Sequence, residues 1–312
     1  EYNKDYSKLI IVDEVSMLDI NIFDSLLKGL TNDIKLILVG DYNQLPSVGP
    51  GQVLKDLIMS NVFKTIYLSL LYRQKENSYI NTLAYEIKEN NLTDFLTTKD
   101  DYTFLNCSSK SIRKNLHTLC EQIISKCYDS KDFQVMAPMY YGEAGIDVLN
   151  QELQSIFNPP DISKKEIKIG NIIYRENDKV LELTNVPDEN IYNGDIGFIK
   201  KIIDASESES KKTEIYIDFY GNVVKFLPKD FALIKHGYAV SIHKSQGSEF
   251  QVVVVILSMS HKRMLYRKLI YTAVTRAKKK LILLGEEEAF RYAVCNDNEY
   301  IRKTTLLDNL VE

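Results

Sequence analysis

The stretch IVDEVSMLD at residues 11–19, followed by VGDYNQLPSVGPG at residues 39–51, decides how this chain is read. Residues 8–12 are a β-branched apolar run of the kind that forms a central parallel strand, and Asp13 and Glu14 follow it directly. Asp19 is a candidate N-cap for a helix over residues 20–30, where apolar residues recur at helical spacing. Residues 35–39 form a second apolar run that ends at Gly40 and Asp41. A strand, a helix and a strand in this order make a parallel unit, so the loops after Val12 and Val39 open on the same edge of the sheet. Ligands of open α/β sheets bind at that edge. A carboxylate pair there suits a nucleotide hydrolase, in which one carboxylate holds Mg²⁺ and its neighbour activates the attacking water. Alone, such a pair also describes a solvated turn. The second strand exit adds the Gly40 backbone turn, the Asp41 carboxylate and the Gln44 amide, which can meet a γ-phosphate without adding negative charge beside it.

Further along, a Gly/Pro-rich loop at 46–51 leads into a predicted helix ending at Met59, a strand near 65–68 and a helix over 78–89. The pattern then restarts. Residues 111–127 read as an amphipathic helix with Ile112, Leu116, Leu119, Cys120, Ile123 and Ile124 on one face, and 133–136 as a buried strand. Between 170 and 233 the texture changes to short alternating strands at 179–183, 196–203, 214–219 and 223–226, the last two joined by a turn at Tyr220, Gly221 and Asn222. That predicts a small β-barrel, with the acidic tract 204–210 as an exposed loop. From Gly237 the α/β pattern returns, with strands at 252–257 and 281–284 around a helix over 265–276. The expected organisation is a first α/β lobe over 1–76, a second over 77–169 and 234–312, and the barrel 170–233 inserted in the second.

Of 312 residues, 45% are hydrophobic and 26% charged, the balance of a globular protein with a sizeable core. The longest apolar runs, such as 252–257, are far shorter than the roughly 20 residues a spanning helix requires. No signal-peptide layout opens the chain, and the four cysteines show no C-x-x-C pairing, so reduced thiols and a cytoplasmic location are expected. A net charge of −4 weighs against a nucleic-acid partner, but the local distribution weighs for one. Lys262, Arg263, Arg267, Lys268, Arg276, Lys278, Lys279 and Lys280 fall between His261 and Lys280 with no acidic residue among them. Such a run is also what a solvated helix face contains.

Taken together, the segments at 11–19 and 39–51 resemble motifs II and III of the RecD-like branch of the superfamily 1 DNA helicases. Leu71-Tyr72-Arg73-Gln74 resembles its motif IV, YAVSIHKSQGSEF (238–250) its motif V and YTAVTRAKKK (271–280) its motif VI, all in family order. Residues 134–139 and 192–197 are similar to that branch as well, the latter within its SH3-like barrel. The resemblance implies two RecA-like lobes, the first incomplete, with a small SH3-like β-barrel inserted in the second. It also implies ATP and Mg²⁺ as cofactors. Asp13 would coordinate the metal, Glu14 would be the general base, Gln44 would sense the γ-phosphate, and Arg73 with Arg276 would supply positive charge. Phosphoryl transfer builds charge on equatorial oxygens, which an arginine fork suits better than a lysine. Gly40 and Asp41 would lie by the nucleotide, Gly247 would let the backbone approach its phosphates, and Glu249 would accept a ribose hydroxyl. Ser241, His243 and Lys244 would touch the nucleic-acid backbone, with Pro138 and Asn193 as further contacts. Outside that context Arg73 reads as a surface ion-pair residue, His243 as a structural histidine, and Pro138 and Asn193 as turn residues.

The implied activity is ATP-driven 5′ to 3′ movement on single-stranded DNA with unwinding at duplex junctions, by a monomer that works with recombination or repair proteins and not with a membrane. No G-x-x-x-x-G-K-[ST] phosphate loop occurs in the 312 residues, so the chain is expected to be part of a longer helicase and inactive alone. The rival readings are a DNA- or partner-binding module that keeps the motor fold without hydrolysis, and the motor subunit of a nuclease or recombination complex.

Overall fold

The computed structural model describes residues 7–31, 33–68, 78–125, 129–297 and 302–311. By packing, the chain forms two compact units: Glu1–Asp94 with Leu265–Thr275 and Arg291–Glu312, and Phe95–Met264 with Arg276–Phe290.

In the first unit, β1 (Leu9–Val12) and β2 (Lys35–Leu38) pair in parallel, with Leu9 opposite Lys35 and Val12 opposite Leu38. Between them runs α1 (Ile20–Gly29), whose first turn is capped by Asp19; its Oδ1 accepts the N–H groups of Asn21 and Ile22 at 2.9 Å each. Then come α2 (Val53–Met59) and α3 (Tyr79–Lys88). Residues 65–68, expected as a strand, are irregular and exposed. Their β-branched and aromatic composition carries strand propensity, but among the described residues no strand pairs with them, and propensity alone does not make a strand.

The second unit is built on five parallel strands. In chain order these are β3 (Tyr102–Asn106), β4 (Phe133–Ala137), and, after the insertion, β12 (Ala239–Ser241), β13 (Phe250–Leu257) and β14 (Ala277–Gly285). Their order across the sheet is β12-β4-β13-β14-β3. The central β13 reads FQVVVVIL, and from Val252 to Leu257 it is the unbroken apolar run that a strand covered on both faces requires. The helices α4 (Ile112–Ser125) and α5 (Ile146–Phe157) pack on each other, burying Leu116, Cys120, Leu149 and Leu153 in one core with Val135 and Val254.

The insertion begins with the hairpin of β5 (Glu166–Ile169) and β6 (Ile172–Arg175). It continues as an antiparallel sheet of β7 (Lys179–Glu182), β8 (Ile196–Ile203), β9 (Glu214–Phe219), β10 (Asn222–Phe226) and β11 (Ile234–His236), in the order β10-β9-β8-β7-β11. The β9–β10 turn is two residues long, not three: Asn222 already pairs with Phe219, and Tyr220 and Gly221 both have positive φ, at 52° and 96°. This is the geometry of a primed hairpin turn. The insertion's own core gathers Ile199, Ile215, Ile217, Val224 and Phe226.

Buried polar groups fasten this insertion to the parallel sheet. Asp178 is fully buried and accepts from Gln154 Nε2 at 2.6 Å, Asn158 Nδ2 at 2.7 Å and Tyr238 OH at 3.0 Å. Beside it, Lys179 donates from Nζ to the carbonyls of Ser130 at 2.8 Å and Phe133 at 2.9 Å.

After β13, α6 (Arg267–Val274) is shorter than the helix expected over 265–276, and β14 starts at Ala277. Lys278, Lys279 and Lys280 therefore lie on a strand and not on a basic helix face. The chain ends with α7 (Glu287–Cys295) and α8 (Leu306–Val311). Packing and sequence divide the chain differently. The sequence boundary falls at residue 76, whereas α3 packs on α6 and α8 packs on α2, all within the first unit.

Candidate functional site

Each unit carries its own set of candidate residues on its own strand exits. In the first, Val39 N–H donates to Val12 O at 2.8 Å and Val15 N–H donates to Val39 O at 2.9 Å, so both exits are stitched together just beyond the sheet. Asp13 and Glu14 lie in that seam. Glu14 has φ 52° and ψ 39°, a left-handed conformation that is strained for a residue with a side chain. Asp13 Oδ1 accepts the Glu14 N–H at 2.8 Å and helps hold the turn. Gly40 is constrained from the other exit: a Cβ there would come within 3.0 Å of the Val15 nitrogen and 2.9 Å of Leu54 Cδ2.

The loop after Gly40 is ordered by its own polar groups. Asp41 Oδ1 accepts the Asn43 N–H at 2.9 Å and its side-chain amide at 3.0 Å, while Asp41 Oδ2 accepts Tyr271 OH at 2.8 Å. Gln44 is buried, and next to it the Leu45 N–H donates to Thr272 Oγ1 at 2.8 Å. Gln44 lines a small cleft with Ser16, Tyr42, Gln52 and Lys268, and the buried Ser16 Oγ has no hydrogen-bond partner among the described residues. Tyr271 and Thr272 were not singled out from the sequence, although both stand in the motif VI segment. Arg73 lies outside the described residues.

Asp13 is exposed, and no hydrogen bond from a described residue other than Glu14 reaches its carboxylate. One carboxylate, completed by water and substrate phosphate oxygens, is how Mg²⁺ is commonly held in phosphoryl-transfer sites, so this donor fits the ion. Among the described residues no cluster of three or more His, Cys, Asp or Glu forms a cage for a metal.

In the second unit, Arg276 stands between α6 and β14 and is only 1% exposed. Its Nη1 donates to Ser248 O at 3.3 Å and its carbonyl accepts the Phe250 N–H at 3.0 Å, which joins the 238–250 and 271–280 segments. Gly247 has φ 76° with no heavy atom near a would-be Cβ, so its glycine answers to backbone conformation and not to space. Glu249 is ion-paired with Lys278 at 3.0 Å.

Ser241 is buried, and its Oγ accepts the Lys244 N–H at 3.3 Å, capping the short turn that presents His243 and Lys244. Lys244 Nζ donates to Asn193 Oδ1, so the turn after β12 and the insertion's 192–195 loop meet at one place. Burial holds the His243 imidazole and the Lys244 ammonium below their ordinary pKa values, and Glu182 partly offsets this for Lys244. Glu182 was not foreseen. It is fully buried at the end of β7, its carboxyl is pushed up by burial, and its Oε2 has no partner among the described residues. Pro138 is buried at the end of β4, while Asn193 is exposed.

Comparison with known proteins finds three family matches along the chain. Residues 149–219 match the family described as the SH3 domain of ATP-dependent RecD-like DNA helicases, residues 236–284 the UvrD-like helicase C-terminal domain, and residues 2–110 an AAA domain. The ATP-dependent RecD2 DNA helicase of Deinococcus radiodurans is 30% identical over 97% of this chain. The chain is thus similar to RecD-like helicases along nearly its whole length. It spans 39% of the length of that relative, and 54% of the RecBCD enzyme subunit RecD of Buchnera aphidicola subsp. Acyrthosiphon pisum, which is 24% identical over 90% of this chain. Solved structures agree on the fold. Pif1 helicase from Candida albicans superposes with a TM-score of 0.55 at 17% identity, covering 94% of this chain and 74% of that one. Pif1 helicase from Bacteroides in complex with ADP-AlF3 and ssDNA gives 0.54 at 17% identity, over 95% and 73%. Among the described residues no helix is long and apolar enough to cross a membrane.

Proposed function

We propose that this RecD-like chain acts in an ATP-dependent DNA motor that moves 5′ to 3′ on single-stranded DNA and opens duplex junctions. The observation that carries the reading is Glu14, held in a strained left-handed conformation on the exit of β1 and stitched to the exit of β2 that bears Gln44. Strain of this kind is stored where a side chain must be aimed.

In the reaction, Asp13 would hold Mg²⁺, which would supply neutralising charge to the phosphates of ATP. Glu14 takes the proton of the attacking water, Gln44 contacts the γ-phosphate, and Gly40 and Asp41 shape the loop beside the nucleotide. Arg276 and Arg73 stabilise the charge that develops on the transferred group, Gly247 admits the phosphates, and Glu249 exchanges Lys278 for a ribose hydroxyl. Lys244, His243 and Asn193 take the sugar-phosphate backbone of the strand, supported by Ser241 and Pro138, through largely sequence-independent contacts. The similarity to RecD subunits of the RecBCD enzyme favours a second reading, in which this motor serves a larger recombination or repair assembly.

Glu14→Gln in the full-length gene product tests the chemistry. ATP binding is expected to persist while hydrolysis falls by roughly 10²-fold or more, as for loss of a general base. An unchanged turnover number removes Glu14 from that role. Polarity is tested on paired substrates: a duplex with a 5′ single-stranded tail is expected to unwind with ATP, and one with a 3′ tail is not. The reverse preference overturns the direction while leaving the ATP-site roles intact.

A further inference from the structure

The loop beyond Gln44 is closed by a residue from the far end of the chain. Residues 46–51 run from buried Leu45 to α2, with Val48 exposed at the apex. One side of the loop rests on the start of α1, where Ile20 N–H donates to Pro50 O at 3.0 Å. The approach at Gly49 is so close that a Cβ would lie 2.1 Å from Asp19 Oδ2, and Gly51 has φ 91°. Arg302 takes the carbonyls that this loop offers. Its Nη1 donates to Gly49 O at 2.6 Å, Gly51 O at 2.7 Å and Ser47 Oγ at 3.3 Å, and its Nη2 donates to Ser47 O.

The chain just C-terminal to Arg302 is itself anchored. Thr304 Oγ1 donates to Asp56 Oδ2 at 2.9 Å, and Asp56, 1% exposed, also accepts Gln52 Nε2 at 2.9 Å. Beyond Thr304, α8 packs on α2. The guanidinium is therefore anchored on its own side and has its donors spread over three carbonyls of one short loop. A planar fork of fixed donors can do this, whereas an ammonium is a single point charge.

We propose that Arg302 is a positioning residue for Gln44. Tyr271 holds the loop at Asp41 and Thr272 holds it at Leu45, on either side of Gln44 in sequence. Arg302 fixes the remaining stretch, so the path of the backbone through Gln44 is set on both flanks. Without the guanidinium the Ser47, Gly49 and Gly51 carbonyls lose their charged donor and the loop relaxes toward solvent. Gln44 then samples positions away from the γ-phosphate, and a misplacement of about 1 Å is enough to cost a large part of the rate. This rests on the reading of Gln44 as the residue that addresses the γ-phosphate.

The test has two arms. Hydrogen exchange read by mass spectrometry on the 312-residue chain is expected to show faster exchange across 44–52 in Arg302→Ala, with β13 peptides unchanged as the control for folding. Unchanged exchange across 44–52 overturns the positioning role. In the full-length gene product, Arg302→Ala is expected to lower kcat for ATP hydrolysis by roughly tenfold to a hundredfold with little change in KM. Arg302→Lys is expected to recover only a small part, and free guanidinium ion to recover more of the Arg302→Ala loss. Wild-type kcat in Arg302→Ala, or full recovery by lysine, overturns the proposal. A parent protein that hydrolyses no ATP overturns the proposed function instead, and Glu14→Gln at wild-type turnover does the same, so the two failures are told apart.

Discussion

The two parallel sheets place candidate chemistry on strand exits in the same way, yet they support it differently. In the first, Leu9 is 47% exposed, Ile11 61% and Ile37 46%, so the described residues leave one face of the β1–β2 pair uncovered. In the second, Val253, Val254, Val255, Ile256 and Leu257 are fully buried along β13. Where packing is thin, polar contacts set the geometry. The Asp13–Glu14 turn and the Gln44 loop are held by Asp19, Asp41, Tyr271, Thr272 and Arg302, whereas Arg276 and Lys244 stand on a sheet whose position is fixed by its apolar core. Substitutions in the first unit should therefore change chemistry more than stability, and those in the second should change both.

Arg276→Ala is the largest expected effect and the first way to break that contrast. In the full-length gene product it should lower ATP turnover by roughly 10³-fold or more, since transition-state charge stabilisation is of that order in such sites. Because Arg276 is only 1% exposed, the same change should also lower the melting temperature, while Glu14→Gln should leave it nearly unmoved. Calorimetry on both variants decides the matter. Equal thermal shifts would mean that the two sheets support their sites alike.

Ile256→Ala and Ile11→Ala compare the sheets directly, one residue fully buried and the other 61% exposed. The first is expected to cost about 2–5 kcal/mol in chemical denaturation, the second to stay within about 0.5 kcal/mol. A cost above about 2 kcal/mol at Ile11 would show that the open face of β1 is covered in solution.

The same contrast explains what the sequence disclosed. The motifs were legible because they are short and sit on strand exits, where local wording and local structure coincide: IVDEVSMLD does place a carboxylate pair after β1, and VGDYNQLPSVGPG a polar loop after β2. The barrel showed itself by alternating strands and by the turn at Tyr220 and Gly221. What stayed hidden is long-range. Arg302 reaches a loop some 250 residues earlier, Thr272 reaches Leu45 across 227 positions, and no local pattern announces either contact. The exposure of Ile11 and Ile37 was hidden for the converse reason, because a β-branched run reads as buried whether or not anything covers it. The close of α6 before Arg276 was lost because the lysines that follow Ala277 on β14 belong to a basic run that also describes a solvated helix face.

Lys179 sharpens the comparison from within the second unit, where a cation is buried against backbone carbonyls. Burial pushes its ammonium down to about 7, although Asp129 and Asp132 pull the other way. Between that value and the ordinary lysine range the unfolded chain holds a proton that the folded chain has released. Folding stability should therefore rise with pH across this window, and below pH 7 the contribution should be flat. The slope is at most about 1.4 kcal/mol per pH unit for one proton. Lys179→Met should lose this part of the pH dependence, measured as the difference between wild-type and variant denaturation midpoints from pH 7 to 9. Parallel curves for the two proteins would mean that Lys179 stays charged in its buried position.

Asp19→Ala has a small expected effect and is the closest test of how the first unit is held. Asp19 Oδ1 accepts two N–H groups in the first turn of α1, and removing a cap of this kind costs about 1 kcal/mol. Its other oxygen packs against the Gly49 backbone, in the loop that Arg302 closes. If polar contacts rather than apolar packing set the geometry here, Asp19→Ala should disturb that loop as well as the helix. Hydrogen exchange should then quicken in both 20–24 and 47–51, while Asp19→Asn, which keeps an acceptor at the cap, should spare both. Faster exchange confined to the start of α1 would separate the cap from the loop, and would leave Arg302 as the contact that orders residues 47–51.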